Sequence, residues 1–259
     1  MTSAALLEIE GLSKSFGGVQ AVRGCSFAVP EGHVVGLIGP NGAGKSTVVD
    51  LVSGFGRPDA GSVRLAGEQL IGKRPDVISR LGLIRTFQTP REWRNLTVMD
   101  NVLLARRRFG NESLWRSMTR ARRIRRAEAA DRAEARAILE RFGLTGLTNE
   151  RAVRLSGGQK RLLEFARIAA AEPRLIILDE PMGGVNPVLG ARIGEAVTRF
   201  AGEGRTVIVV EHNLPFIEKT CDQVVVMDLG EVIATGPFAG LRDNPRVVDA
   251  YLGMDQTHE

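Results

Sequence analysis

The chain has 259 residues, long enough for one large α/β domain with a smaller lobe inserted, and its 43% hydrophobic and 25% charged content is that of an ordinary globular protein. No stretch approaches the roughly 20 uninterrupted apolar residues of a membrane span, and residues 1–10 lack the basic region, apolar run and cleavage site of a secretion signal. The formal charge of +5 is mildly basic, and the two cysteines, Cys25 and Cys221, form neither a disulfide framework nor a metal-ligand spacing, so each reads as a small buried hydrophobe in a reducing compartment.

The predicted elements begin with strands. Residues 6–10 and 19–29 alternate apolar and polar positions, and residues 34–38 form a continuous apolar run that ends in a glycine-rich loop. Residues 61–66 and 82–87 read as further strands. From about residue 90 to 156 Ala, Arg, Glu and Leu dominate, and residues 122–142 predict a long helix with Ala127, Ala130, Ala133, Ala137 and Ile138 on its small or apolar face and Gly143 as its stop. Arg106, Arg107, Arg108, Arg116, Arg120, Arg122, Arg123, Arg125 and Arg126 crowd this region. They read as a solvated helix face balanced by Glu128, Asp131, Glu134 and Glu140, or as a contact for anionic headgroups or acidic partner loops. Thereafter residues 159–171 and 187–202 are helical, and residues 175–178, 206–210 and 223–228 are short buried strands. Such alternation predicts a mostly parallel sheet with helices on both faces.

Within that frame, Gly39-Pro40-Asn41-Gly42-Ala43-Gly44-Lys45-Ser46 satisfies the G-x-x-x-x-G-K-[ST] pattern, between an apolar strand and a helix led by Thr47. The glycines let successive N–H groups turn inward around phosphates, Lys45 reaches the β/γ oxygens, the Ser46 hydroxyl can ligate Mg²⁺, and the helix adds its positive N-terminal dipole. A plain glycine turn would not need this full pattern. Asp179 and Glu180 end the run Leu175-Ile176-Ile177-Leu178 at the strand edge where α/β sheets bind ligands. Alone, two acids before Pro181 would read as a surface turn. With the phosphate loop, Asp179 becomes the Mg²⁺ ligand and Glu180 the group that polarises an attacking water.

Leu155-Ser156-Gly157-Gly158-Gln159 stands between these halves. Ser156 and Gln159 have capping-box spacing, and a glycine-flanked helix start with a serine hydroxyl suits a γ-phosphate. The run resembles the signature of ABC-type ATPases, and the rest of that family's order is present along essentially the whole chain. Gln88 resembles the glutamine that senses Mg²⁺ and the attacking water. His212, after Val207-Ile208-Val209-Val210-Glu211, resembles the switch histidine that contacts the γ-phosphate. Phe16 sits where the family stacks an aromatic on adenine, although a Phe before a glycine turn is often core. Arg85-Thr86-Phe87-Gln88, Asn95-Leu96-Thr97-Val98, the segment 181–187 and the segment 244–253 resemble ATP-binding subunits of branched-chain amino acid importers, of the LivG type above all. Asn186 stands where most ABC ATPases carry Asp, as in that importer group, and Met182 is a departure where small residues are usual.

The resemblance implies a P-loop NTPase (RecA-like) core with a small antiparallel β subdomain, residues 1–89 and 159–259, and an inserted helical subdomain, residues 90–158. It implies ATP and Mg²⁺ as cofactors and Glu180, His212 and Gln88 as the catalytic set. Gly39 to Thr47, Phe16 and the Ser156–Gln159 helix start would hold nucleotide, with Ser46, Gln88 and Asp179 at the metal. The implied partners are a second ABC ATPase subunit, the same or different, whose Ser156 end closes over the ATP, then transmembrane permease subunits and, indirectly, a substrate-binding protein, with no nucleic acid. Closure would be transmitted near residues 88–96, where Trp93 is a candidate docking anchor or a residue packed within the helical lobe. The implied location is peripheral, on the cytoplasmic face of the inner membrane. Import of urea or short amides, or a non-import ABC system, are the other readings, since substrate choice belongs to other subunits.

Overall fold

In the computed structural model, which describes residues 4–87, 92–106 and 121–252, the chain opens with a long antiparallel ribbon of β1 (Ala5–Phe16) and β2 (Val19–Pro30). β4 (Ala60–Leu65) and the short β5 (Glu68–Gln69) extend it to a four-stranded antiparallel sheet ordered β2-β1-β4-β5. Leu7, Ile9, Leu12, Val22, Cys25, Val29, Val63 and Leu65 are buried from this sheet, whereas the second half of β1 is largely polar and partly solvated. That polarity is why β1 runs past the residue-10 end its apolar pattern predicts: a strand covered on one face needs no apolar run to pair.

The larger sheet is made of β3 (Val34–Ile38), β6 (Leu83–Arg85), β7 (Leu175–Asp179), β8 (Thr206–Val210), β9 (Gln223–Asp228) and β10 (Glu231–Gly236), ordered β10-β9-β3-β8-β7-β6. Its pairs are parallel except β10 with β9. Every residue of β3, β7 and β8 is buried, as expected of parallel strands covered on both faces. One core joins the two sheets through Leu7, Val22, Val35, Leu37, Ile177 and Met227, and α1 (Lys45–Val52) seals it with Val48, Val49, Leu51 and Val52. Of the remaining helices on these strands, α2 (Pro75–Arg80) precedes β6. α6 (Pro187–Gly202) buries Ile193, Val197 and Phe200, and α7 (Leu214–Thr220) buries Phe216 and Ile217. α8 (Phe238–Leu241) and α9 (Pro245–Leu252) follow β10.

The chain divides into two compact units, Met1–Gln88 with Arg174–Glu259, and Thr89–Pro173. The second is helical: α3 (Val98–Arg106), α4 (Ala121–Arg141), 3₁₀ turns at Thr145–Leu147 and Ala152–Arg154, and α5 (Gly157–Ala171). It ends at Pro173 and not at the expected residue 158, because α5 packs against α3 and α4. On α4 the buried residues are Ala135, Ile138 and Leu139, joined by Phe142 just beyond it, the i, i+3, i+4, i+7 pattern of one helical stripe, while Ala130, Ala133 and Ala137 face solvent. The predicted small-residue face is corrected accordingly: on an alanine-rich helix, Ile, Leu and Phe choose the buried side because they remove more apolar area from water. Buried Asn101 is satisfied, its amide donating to the carbonyls of Trp93 and Thr97 and accepting from the Trp93 N–H.

Candidate functional site

Strand order brings the site together. β8 lies between β3 and β7, with Val210 in register with both Leu37 and Asp179. The carboxyl ends of three neighbouring strands therefore emerge at one sheet edge, carrying the loop 39–46, the acids Asp179 and Glu180, and the pair Glu211 and His212. This is where parallel α/β sheets bind ligands, because loops diverge there and helix N-termini point toward the gap.

In the glycine-rich loop, Gly39 is buried at φ +147°, and a Cβ there would stand 2.0 Å from the Met227 carbonyl oxygen. Only glycine lets the loop leave β3 this close to β9. Pro40 and Ala43 are buried, while Asn41, Gly42 and Ser46 are exposed and Gly44, Lys45 and Thr47 are partly so. Gly44 caps α1 without a side-chain hydrogen bond, so the leading N–H groups of α1 are left for a ligand. Lys45 folds back over the loop, donating from Nζ to the carbonyls of Gly39 and Pro40 at 2.8 Å each. Burial holds its pKa below the usual lysine value, opposed by the nearby negative charges of Glu180 and Asp179.

Asp179 is the buried last residue of β7, and two residues near the end of β6 hold it. Its backbone N–H donates to Thr86 Oγ1 at 3.0 Å, and Arg85 Nη2 donates to its Oδ2 at 3.0 Å. Glu180 follows with φ +47°, a left-handed conformation uncommon outside glycine, and its N–H donates to the Val210 carbonyl. The backbone thus leaves strand geometry at Glu180, separating its direction from that of Asp179. A serine hydroxyl and one carboxylate are hard oxygen donors. Among the described residues no cluster of three or more His, Cys, Asp or Glu could hold a metal on its own. That donor set fits Mg²⁺, which is usually bound by few protein oxygens together with phosphate and water. Gln88 lies outside the described residues.

Glu211, with a fully buried side chain, ties two loops together. Its Oε1 accepts from the Met182 N–H at 2.7 Å, and its Oε2 accepts from the N–H groups of His212 at 3.1 Å and Asn213 at 3.3 Å. The His212 ring itself is 69% exposed, its Nδ1 3.9 Å from Glu211 Oε2, so it is presented outward from an anchored backbone. The departure at Met182 has a packing partner: a Cβ on Gly190 would lie 2.5 Å from Met182 Cε, so the missing side chain of α6 makes room for the methionine. Asn186 caps α6, accepting from the Leu189 N–H at 2.9 Å ahead of Pro187.

In the helical unit Ser156 caps α5 in a full capping box: the Gln159 N–H donates to Ser156 Oγ at 3.3 Å and the Ser156 N–H to Gln159 Oε1 at 2.9 Å. A Cβ on Gly157 would touch nothing within 4 Å, so the approach to that helix start is open. Trp93 is 39% exposed and lies over the Arg167 guanidinium at 4.1 Å, beside an ion pair of Lys160 with Glu92 and a buried one of Arg161 with Glu164. Burial raises the Glu164 pKa against the opposing pull of Arg161. Arg106, 21% exposed, pairs with Asp131 and Glu134 of α4; Arg107, Arg108, Arg116 and Arg120, and the side chains of Arg122, Arg123, Arg125 and Arg126, lie outside the described residues. Phe16 ends β1 57% exposed, with Lys14 Nζ 5.3 Å from its ring centre. Motif reading assigned no role to Arg85, Thr86 or Glu211. Arg85 and Thr86 stand out in the sequence only within the run that resembles the importer subunits, and Glu211 only as the residue before His212; each is a polar side chain at the end of an otherwise apolar strand.

Comparison with known proteins agrees with this geometry. A family model described as ABC transporter matches residues 22–183, and one described as Branched-chain amino acid ATP-binding cassette transporter matches residues 231–253. The chain is 38% identical over 252 residues to the high-affinity branched-chain amino acid transport ATP-binding protein BraF of Pseudomonas aeruginosa, covering 97% of this chain and 99% of that protein. It is 39% identical to a probable branched-chain amino acid transport ATP-binding protein LivG of Archaeoglobus fulgidus, covering 97% of each. Among solved structures, the ADP conformation of an ATP-binding cassette of an ABC transporter superposes with a TM-score of 0.80 at 32% identity, over 97% of this chain and all of that one.

Proposed function

Because the chain belongs to the ATP-binding cassette family of ABC transporters, we propose that it binds ATP and hydrolyses it to drive an importer of branched-chain amino acids. The observation that carries the reading is the single sheet edge shared by the loop 39–46, Asp179 with Glu180, and His212.

The loop N–H groups and the start of α1 receive the β- and γ-phosphates. Lys45 Nζ exchanges its two carbonyl acceptors for phosphate oxygens, so the ammonium waits in place with no need to be drawn from solvent. Ser46 and Asp179 would hold Mg²⁺, which would supply positive charge to offset that developing on the transferred phosphoryl group. Gln88 joins them in sensing the metal and the water. Glu180 polarises the water that attacks the γ-phosphorus and accepts its proton, while the bond from that phosphorus to the β-phosphate oxygen breaks and ADP departs with the electron pair. His212 contacts the γ-phosphate, and Phe16 stacks on the adenine. Since Glu211 holds both the His212 and the Met182 backbone, occupancy at His212 is transmitted directly to the 182–186 loop.

The second half of the site comes from a partner ATPase subunit. Its equivalent of the Ser156-Gly157-Gly158-Gln159 helix start closes over the γ-phosphate, so ATP joins the pair and hydrolysis releases it. That cycle is delivered to transmembrane permeases on the cytoplasmic face of the inner membrane, where this chain is peripheral; no helix among the described residues is long and apolar enough to cross a membrane. Residues 90–158, extended by α5, form the helical lobe that mediates it. Coexpression with its permeases in liposomes provides the test. Leucine delivered by the binding protein is expected to stimulate ATP hydrolysis, and stimulation by urea or acetamide with none by leucine would replace the substrate assignment.

A further inference from the structure

We propose that Arg85 is a positioning residue that clamps α1 to β7 and so sets the two oxygen donors of the nucleotide's divalent cation, an inference that rests on the ATPase reading of Ser46 and Asp179. The two donors sit on different elements, Ser46 in the first turn of α1 and Asp179 at the end of β7. Arg85 touches both elements. One guanidinium nitrogen, Nη2, donates to Asp179 Oδ2 at 3.0 Å; the other, Nη1, engages Asp50 of α1 and the Ser53 hydroxyl just beyond it at 3.2 Å.

Two further features describe how the guanidinium is held. Its side chain is 9% exposed and its Nε is buried with no hydrogen-bond partner, so the hydrogen bonds it makes all run from Nη1 and Nη2 toward α1, Ser53 and β7. Phe87 and Phe55 wall it in, their ring centres 5.3 and 5.9 Å from its central carbon and set edge to face at 5.6 Å from each other. Water is kept from the pair, and the planar fork is fixed. By occupying Oδ2, Arg85 turns the other carboxylate oxygen, Oδ1, to the cation. With Thr86 holding the Asp179 N–H, β6 determines both the backbone and the side-chain position of that acid.

The test separates metal-dependent from metal-independent nucleotide binding. ATP affinity is measured by displacement of a fluorescent nucleotide, once in excess EDTA and once with Mn²⁺, whose electron paramagnetic resonance spectrum also reports its ligand field. Arg85→Met is expected to change the EDTA affinity by less than about twofold but to reduce the gain given by Mn²⁺ by about tenfold, the worth of one charge-assisted hydrogen bond, and to broaden the Mn²⁺ spectrum. Arg85→Lys should recover part of the gain, since an ammonium keeps the charge but cannot bridge both carboxylates. A wild-type Mn²⁺ gain in Arg85→Met overturns the proposal. Should that variant not fold, Asp50→Asn decides, because Asp50 is 48% exposed and its loss leaves the Arg85–Asp179 pair intact. A reduced Mn²⁺ gain there supports the clamp, and an unchanged one refutes it. Asp179→Asn distinguishes the two levels of the argument. If it too retains the full gain, the metal role of Asp179 fails first; if it loses the gain while Arg85→Met does not, only the clamp is wrong.

Discussion

Replacing Glu211 by Gln removes one negative charge from a site that no motif marks, and the structure sets the size of the effect. The carboxylate accepts three backbone N–H groups, one on Oε1 and two on Oε2, with its side chain fully buried. An amide has one acceptor oxygen, and its NH₂ must then face at least one N–H donor that water cannot reach. The amide will orient to sacrifice the single bond from Met182 and keep the two from residues 212 and 213. Losing one hydrogen bond to a charged acceptor costs about 1.5–3 kcal/mol, and the donor left unsatisfied places the total at the upper end of that range. For a chain of this size 1 kcal/mol shifts the melting temperature by about 2–4 °C, so Glu211→Gln should lower it by roughly 5–10 °C. Because one of the loops that Glu211 ties carries His212, the residue proposed to contact the γ-phosphate, kcat for ATP should fall by about tenfold or more, with KM changed by less than about twofold. Calorimetric unfolding and steady-state hydrolysis measure the two effects. A melting temperature within about 1 °C of wild type would refute the claim that this carboxylate holds the two loops.

Two other outcomes follow from the same geometry. Gly39→Ala should weaken ATP binding far more than Gly42→Ala, because a Cβ at position 39 would meet the Met227 carbonyl at 2.0 Å whereas at position 42 it meets nothing within 4 Å; equal losses measured by nucleotide titration would mean that φ strain alone matters. Burial pushes the pKa of Cys25 from 9.0 up to about 12 and that of Tyr251 from 10.0 up to about 12. The folded chain therefore keeps protons that the unfolded chain gives up, so stability is full below about pH 9 and declines as pH rises toward 12, by up to ~1.4 kcal/mol per pH unit for each such group. Denaturant midpoints measured across that interval should fall less steeply in Cys25→Ala, and an unchanged slope would place the titration elsewhere.

Much of the site was legible in sequence because its chemistry is contiguous. Gly39 to Ser46, to which the proposed phosphate binding is assigned, are eight adjacent residues, and the buried strands around them are unbroken apolar runs. The capping box of Ser156 and Gln159 is likewise a local pattern. What stayed hidden is nonlocal. Arg85 meets Asp50 and Asp179 across 35 and 94 residues, and Glu211 meets Met182 across 29, so only strand order makes them neighbours. The unusual Met182 is intelligible only beside Gly190 on the following helix. On α4 an excess of alanine blurred the stripe that Ile138, Leu139 and Phe142 define once the helix is packed.

The central claim is that Glu180 performs the chemistry in a site that binds ATP without it. The direct measurement is single-turnover hydrolysis alongside equilibrium ATP binding in wild type and Glu180→Gln. Binding retained within about threefold with hydrolysis reduced by a hundredfold or more, and ATP-dependent pairing of subunits prolonged, is the result this account requires. Undiminished hydrolysis in Glu180→Gln would contradict it.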